Sequence, residues 1–524
     1  MDTRIARALY RKKSAVQRAG EGERTPGGTP LVIPFPKCYT LSMPRFTFIH
    51  AADLHLGAPF RGLDGAASAA FPSSGPSSSP LSSPSSSPSS RKKGNFLAEA
   101  SFIALDRLEK ACLDQGAAFL ILSGDIYDDK DGVLRARFAL RDMFLRLKDA
   151  DVRVFIAHGN HDPLRPGPLP VAWPDNVTVF GPEVSRECVM QDGVPLALVQ
   201  GISHTAARET ENLALRFTRY APGKEDGNAL SGSLPEGLPA DIFQIAVLHC
   251  AVGGAADGHA PYAPCALSDL TGAGFDYWAL GHVHQGGIVC DAPYVVYPGS
   301  IQGLHINETG AHGCAVVRVD GRSCAVEQLP LAPVVWEKMV FTVTEGTATP
   351  VATIDALEEA LLEALQTRAG ERNGAEAVFC RVILEGATEL DAELRRPGSL
   401  ETLLERLRKE LAAHDGPARV WLKDIRLATS PDRDFAALAG RDDLVGEVVR
   451  LASAMRDDPA RAEEVADRAL SALRGNAKLK KILALGGEAH GIGGMDGAVD
   501  TALSAPDLAD EAKALLCSLL EGDE

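Results

Sequence analysis

The sequence predicts an α/β protein: a layered α/β sandwich, then a small α+β domain, then a helical C-terminal region. Three observations carry this reading. Short apolar runs alternate with amphipathic stretches from residue 46 to about 320. Near 336 the pattern turns into a compact β-α-β-α-β unit. After Pro431 the chain becomes rich in Ala, Leu, Asp and Arg and reads as helical, with a break near Gly486–Gly494. Alternating strands and helices build layered sheets, and catalytic groups sit on the loops that follow the strands.

Residues 1–42 hold eight Lys/Arg against three Asp/Glu, with no strong periodicity. They read as a disordered tail or an overextended start, the folded part beginning near Met43. A domain over 43–335 follows. Its buried strands are expected at Phe46–Ile49, Phe119–Leu122, Val152–Ile156, Leu196–Val199, Ile242–Leu248 and Tyr277–Leu280, and its early helices at Phe96–Leu113 and Leu134–Leu147. The 66–93 segment is a low-complexity loop: residues 71–90 contain twelve Ser and five Pro, which cannot build a core. It ends in Arg91-Lys92-Lys93, expected to be a solvated edge.

The small domain, 336–430, is expected to contain strands at Lys338–Thr344, Ala377–Leu384 and Arg419–Leu427, and helices at Ile354–Gln366 and Leu400–Ala413. In 431–524, helices are expected at Asp434–Ala454 and Ala460–Leu473, with apolar positions such as Leu438, Val445, Val448, Val449 and Leu451. They either pack on their own domain or dock a partner.

Composition narrows the classes. The 524 residues carry a net charge of −17, with 45% hydrophobic and 23% charged residues, as in a soluble protein of two or three domains. No apolar run is long enough for a membrane span. The acidity argues against an indiscriminate nucleic-acid binder. Ten scattered cysteines without a CxxC pair read as reduced cytosolic thiols, so a cytoplasmic location is expected. No Walker A loop is present, so any ATP hydrolysis must come from another chain.

Eleven of the thirteen histidines lie between His50 and His312. Five short elements there each follow an apolar strand: Asp53-Leu54-His55, Gly124-Asp125, Gly159-Asn160-His161-Asp162, His249 and Gly281-His282-Val283-His284. Carboxylates and imidazoles without thiolate suit Mn, Fe or Zn. In DxH and HxH an extended backbone puts alternate side chains on one face, so both can point at the same ion. One Asp shared between two ions would hold them about 3.5–4 Å apart, as in two-metal phosphoesterases. Asn160 adds a neutral oxygen. Each piece alone is weak; the ordered set, each after a strand, indicates a dinuclear metallophosphoesterase.

The set resembles the calcineurin-like metallophosphoesterases, whose fold is a four-layer α/β/β/α sandwich. Further stretches resemble the SbcD-type DNA repair nucleases. These are Phe48–Gly57, Phe275–His284 and, most discriminating, Tyr297-Pro298-Gly299-Ser300-Ile301-Gln302-Gly303 with Asn307-Glu308-Thr309-Gly310. The small domain and Trp421-Leu422-Lys423-Asp424-Ile425 look like the YhaO-type branch. The likeness covers roughly 43–430.

The resemblance implies that Asp53, His55, Asp125 and His284 hold one metal and that Asp125, Asn160, His249 and His282 hold the other, Asp125 bridging. It implies that His161 faces the phosphate and assists the leaving oxygen, with Asp162 orienting His161. Two divalent ions are expected, manganese first, with zinc or iron as alternatives. The implied function is a metal-dependent DNA exonuclease or endonuclease in repair. DNA is then the substrate, an SbcC-like SMC-type ATPase the partner, a homodimer a further expectation, and the small domain a DNA-gripping cap. The competing reading is a small-molecule phosphodiesterase or protein phosphatase on the same site.

One position departs from the family. Many SbcD-type nucleases have a histidine three residues after the bridging aspartate; here it is Asp128. An ionised aspartate only accepts hydrogen bonds, which weakens the exonuclease assignment relative to the phosphodiesterase one. Other groups have plainer expectations. His50 and His158 are structural or support the ligands. His204 either reaches the cleft or simply ends a strand. His259, His305 and His312 are surface or loop groups. Gln302 and Asn307 touch a DNA backbone or cap the turn after Gly299. No residue is assigned to nucleic-acid contact.

Overall fold

The structure is a computed structural model that describes residues 44–63, 96–128, 133–165, 171–222, 234–235, 237–253, 262–343, 351–372, 374–413, 416 and 418–458. The expectations for 1–42, the whole 66–93 loop with its Arg-Lys-Lys end, His259, and the second C-terminal helix lie outside the described residues.

Two six-stranded sheets form the larger part. The first has the order β12-β11-β1-β2-β3-β4, the second β5-β6-β7-β8-β10-β9. In chain order the strands are β1 (Arg45–Ala51), β2 (Phe119–Ser123), β3 (Arg153–Ala157), β4 (Val177–Val179), β5 (Ser185–Gln191), β6 (Val194–Gly201), β7 (Phe243–His249), β8 (Tyr277–Gly281), β9 (Gly287–Asp291), β10 (Tyr294–Tyr297), β11 (Gly313–Asp320) and β12 (Ser323–Pro330). Strands β1, β2 and β3 are mutually parallel, as are β6, β7 and β8. Their C-terminal ends therefore open on the same edge, where α/β folds bind ligands.

The apolar runs are continuous because both faces of these strands are buried. Phe46 and Phe48 of β1 point between the sheets, joining Phe119, Ile121, Phe155, Ile245, Val247 and Tyr277. The Phe48 and Phe119 rings stack at 4.9 Å, worth about 0.5–1.5 kcal/mol beyond their buried area. Ile49 and Ala51 point the other way, onto helices α1 (Phe96–Asp114) and α2 (Val133–Asp149). Leu97, Ala100, Ala104, Leu105, Leu108 and Cys112 give α1 its buried stripe. The outer face of the second sheet buries Ala246, Leu248, Trp278 and Leu280 under the short helix α3 (Leu267–Gly272), the 3-10 turn Leu213–Arg216 and nearby loops. The order is α/β/β/α, with a thin fourth layer.

A three-stranded sheet follows: β13 (Val334–Thr342), β14 (Ala377–Thr388) and β15 (Arg419–Pro431). Helices α4 (Ile354–Gly370) and α6 (Ser399–Ala413) make the crossovers, with the short α5 (Asp391–Leu394) between β14 and α6. All three strands are parallel, so this unit is built from β-α-β crossovers rather than from segregated strands and helices. Thr353 caps α4 by accepting from the Ala356 N–H at 3.2 Å. Leu357, Leu361, Leu365, Leu403, Leu407 and Leu411 cover one sheet face. Trp336, Phe379 and Trp421 instead pack with Phe60, Phe96, Leu97 and Ile306 of the larger part.

The expected single helix at 434–454 is two: α7 (Phe435–Ala439) and α8 (Leu444–Asp457). Gly440 ends the first, and Asp443 caps the second by accepting from the Gly446 N–H at 3.0 Å. Val445 and Val449 pack on Phe435 and Leu438. Strands β4, β5 and β9 to β12 fall outside the strands expected from the sequence, and β13 starts earlier than its apolar pattern indicates. Among the described residues no helix is long and apolar enough to cross a membrane.

Candidate metal centre

The C-terminal ends of β1, β2, β3, β7 and β8 bring Asp53, Asp125, Asn160, His249 and His282 to one cleft, all buried. His55 and His284 complete the group. Asp53, His55 and His284 have ligating atoms within 4.8 Å of one another, and so do Asp53, Asp125 and His249. Asp53, His55, Asp125 and His282 have φ of 49°, 40°, 51° and 107°. Positive φ is rare for residues with a Cβ and marks backbone held for function. Gly159 and Gly281 make the close packing feasible: a Cβ there would overlap the Asp125 carboxylate and the Ser123 carbonyl respectively.

The donor set fits metal ions. The His249 Nδ1–H donates to the Ser123 carbonyl at 3.0 Å, so its Nε2 lone pair faces Asn160 Oδ1 at 3.0 Å and Asp125 Oδ2 at 3.4 Å. His55 Nδ1 meets Asp128 at 2.9 Å and His284 Nδ1 meets Glu308 at 2.6 Å. Their Nε2 atoms then face each other at 3.1 Å. Acceptors pointed at acceptors repel unless a proton or a metal cation lies between them. Asp125 Oδ1 accepts the His161 backbone N–H at 2.9 Å, while Oδ2 lies 3.4 Å from His249 Nε2 and 3.9 Å from His55 Nε2. Asp125 Oδ2 thus lies between the two imidazole groups.

Electrostatics agree. Burial disfavours a charged His249, but Asp125 and Asp53 raise it to about 9. Burial likewise works against charge on Asp125, yet His249 and His55 hold its carboxyl well below the usual range. Burial pushes Asp53 up. A site that draws protons so strongly to its nitrogens will draw divalent cations too, and a bound cation would reverse the Asp53 shift.

His161 is 42% exposed at the mouth, its ring centroid 4.8 Å from that of His55. Its Nδ1 lies 2.8 Å from Asp128 Oδ1, the same oxygen that His55 Nδ1 meets. His55, Asp128 and His161 also converge closely enough to be a ligand triad, but Asp128 already accepts two ring N–H groups, so we read it as an orienting network. Those two bonds hold Asp128 well below the carboxylate range, and the one from Asp128 raises His161.

Here the structure corrects the sequence. Asp162 does not orient His161. Its carboxylate accepts from the backbone N–H groups of Asp125, Ile126 and Gly159 at 3.2, 3.1 and 2.9 Å, and meets His158 Nδ1 at 3.1 Å. Buried beneath both ligand loops, it clamps them together through these backbone groups.

His50 bridges Ser123 Oγ and Tyr277 Oη, and burial lowers it to about 3. His204 is fully buried and donates to the His249 carbonyl at 2.7 Å, so it supports a ligand rather than entering the cleft. His312 is buried too, not a surface group: it meets Ser300 Oγ at 2.8 Å and the Glu308 carbonyl at 3.2 Å. Gln302 is buried and bonds both backbone groups of Val334. Asn307 accepts from Lys338 at 3.0 Å. Glu308 lies in the Asn307–Gly310 stretch, and its place beside His284 depends on a tertiary contact that no spacing reveals.

This sandwich and centre define a calcineurin-like phosphoesterase. The calcineurin-like phosphoesterase family model matches residues 46–286. The middle-domain model of metallophosphoesterase YhaO matches residues 341–430. The chain is 31% identical over 372 residues to the uncharacterized metallophosphoesterase YhaO of Bacillus subtilis (strain 168), covering 70% of this chain and 79% of that relative. The chain belongs to the calcineurin-like metallophosphoesterases, hydrolases that use a dinuclear metal centre.

Proposed function

We propose that the protein is a two-metal phosphodiesterase that cleaves DNA in repair, as an exonuclease or endonuclease, with an SbcC-like SMC-type ATPase as its partner. The observation that carries the chemistry is the His161–Asp128 pair at the mouth of the metal cleft, 2.8 Å apart.

When bound, divalent ions, manganese first, supply a hydroxide at neutral pH and positive charge against the phosphate. Asp53, His55, Asp125 and His284 would hold one ion. Asp125, Asn160, His249 and His282 would hold the other. Asp128 keeps a proton on His161 Nδ1 and favours the doubly protonated ring. The Nε2–H side of that ring then donates a proton to the leaving sugar oxygen. Asp162 holds the Asp125 and Gly159 loops at the separation this needs.

Support for DNA as substrate comes from the Tyr297–Gly303 and Asn307–Gly310 stretches and from the second domain that Gln302 fastens to the site. The same reading expects a homodimer and a cytoplasmic location. The competing reading, a small-molecule phosphodiesterase or protein phosphatase, is favoured by Asp128, whose carboxylate turns to His55 and His161 and offers phosphate no donor. A manganese assay comparing linear duplex DNA with bis-p-nitrophenyl phosphate separates the two. DNA cleavage supports the first. Hydrolysis of the small ester alone, even with the ATPase added, supports the second.

A further inference from the structure

We propose that Glu308 is a positioning residue for the metal held through His284, and that the small domain sets its place. The inference rests on reading His284 as a ligand.

Glu308 Oε1 accepts from His284 Nδ1 at 2.6 Å and lies 3.2 Å from His305 Nε2. Glu308 Oε2 accepts the Leu304 N–H at 2.5 Å. The carboxylate is thus fixed at both oxygens, and it fixes the imidazole: with its proton on Nδ1, His284 turns the Nε2 lone pair toward His55 Nε2. A carboxylate behind a ligating histidine sets the tautomer and ring orientation and raises the basicity of the ligand nitrogen. Asp128 does the same for His55 from the opposite side. The two imidazoles of one metal site are therefore each backed by a carboxylate.

The two carboxylates differ in what carries them. Asp128 follows β2 and belongs to the sandwich. Glu308 rides on the 302–312 segment, which β13 grips along its length. Gln302 Nε2 donates to the Val334 carbonyl at 2.8 Å, and the Val334 N–H returns to Gln302 Oε1 at 3.2 Å. Trp336 Nε1 donates to the Gly303 carbonyl at 2.9 Å, and the Gly310 N–H to the Trp336 carbonyl at 3.0 Å. Lys338 Nζ reaches Asn307 Oδ1 at 3.0 Å. Trp336 is fully buried against Phe60 and Phe379. A continuous path runs from the small-domain core through Trp336 and Gly303 to Glu308 and His284.

The test is a manganese titration of the full chain without substrate. His55→Ala and His249→Ala in the same titration assign each binding step. Glu308→Gln keeps size and an acceptor oxygen but removes the charge. It should weaken the His55/His284 step about 10–100-fold, the range for such outer partners. Trp336→Phe keeps the ring packing but deletes the bond to Gly303, and should weaken the same step by a smaller factor. The other step should not move in either variant. A wild type that binds fewer than two ions sinks the metal-pair reading itself. A two-ion wild type whose variants lose both steps, neither, or the His249 step overturns the role of Glu308 alone.

Discussion

His161 Nδ1 lies 2.8 Å from Asp128 Oδ1, and this bond raises the imidazole's affinity for its proton. In the proposed reaction the protonated ring is the working form. That form is present below the folded pKa of His161 and is lost as pH rises through it. Asp128→Asn removes the charge that raises the pKa. The alkaline limb of the kcat profile, measured at saturating manganese, should therefore move to lower pH; an alkaline limb that does not move would contradict this role.

His161→Ala should lower kcat about 10²–10⁴-fold, the usual contribution of a positioned acid, yet keep its metal, because its side chain backs no ligand except through Asp128. Full rate on a DNA substrate, with metal content unchanged, would remove His161 from the mechanism.

Asp162 contributes through the backbone. Asp162→Ala strands the N–H groups of Asp125, Ile126 and Gly159 in a buried loop pair. Buried unsatisfied donors cost about 1–3 kcal/mol each and not additively. We expect a loss of roughly 3 kcal/mol in urea unfolding of the metal-free chain. An unchanged midpoint would show that the loops do not need this clamp.

His50 makes the metal-free protein sensitive to acid. Burial lowers its folded pKa from 6.5 to about 3. Between those values the unfolded chain binds the proton and the folded chain does not, so stability falls as pH drops from about 6.5 toward 3. Unfolding midpoints of wild type and His50→Gln over this range should diverge at neutral pH and converge in acid. Parallel curves would contradict it.

Asp53, His55, Asp125, Asn160, His249, His282 and His284 stand out in the sequence because each ends or closely follows a strand buried on both faces, where apolar runs are unbroken. The sequence hid what depends on folding at a distance. Asp128 stood out as a missing donor, but its role as acceptor for two imidazoles needs β1, β2 and the Asn160 loop in place. Glu308 gains its meaning from His284, which lies on the other side of a hairpin. The sequence leaves Gln302 between a DNA backbone and the turn after Gly299; its bonds to Val334 of β13 form only on folding. Strand β12 shows no apolar run because five of its eight residues are exposed and none is buried, with Glu327 and Gln328 at a sheet edge.

Asp125 Oδ2 lies 3.4 Å from His249 Nε2 and 3.9 Å from His55 Nε2, where Asp125 would be shared by two ions. The most direct measurement is metal content together with electron paramagnetic resonance of the manganese-loaded chain. The account predicts two Mn2+ per chain with a spin-coupled spectrum, and loss of both the coupling and hydrolysis in Asp125→Ala. A single equivalent, or two uncoupled ions in the wild type, would contradict it.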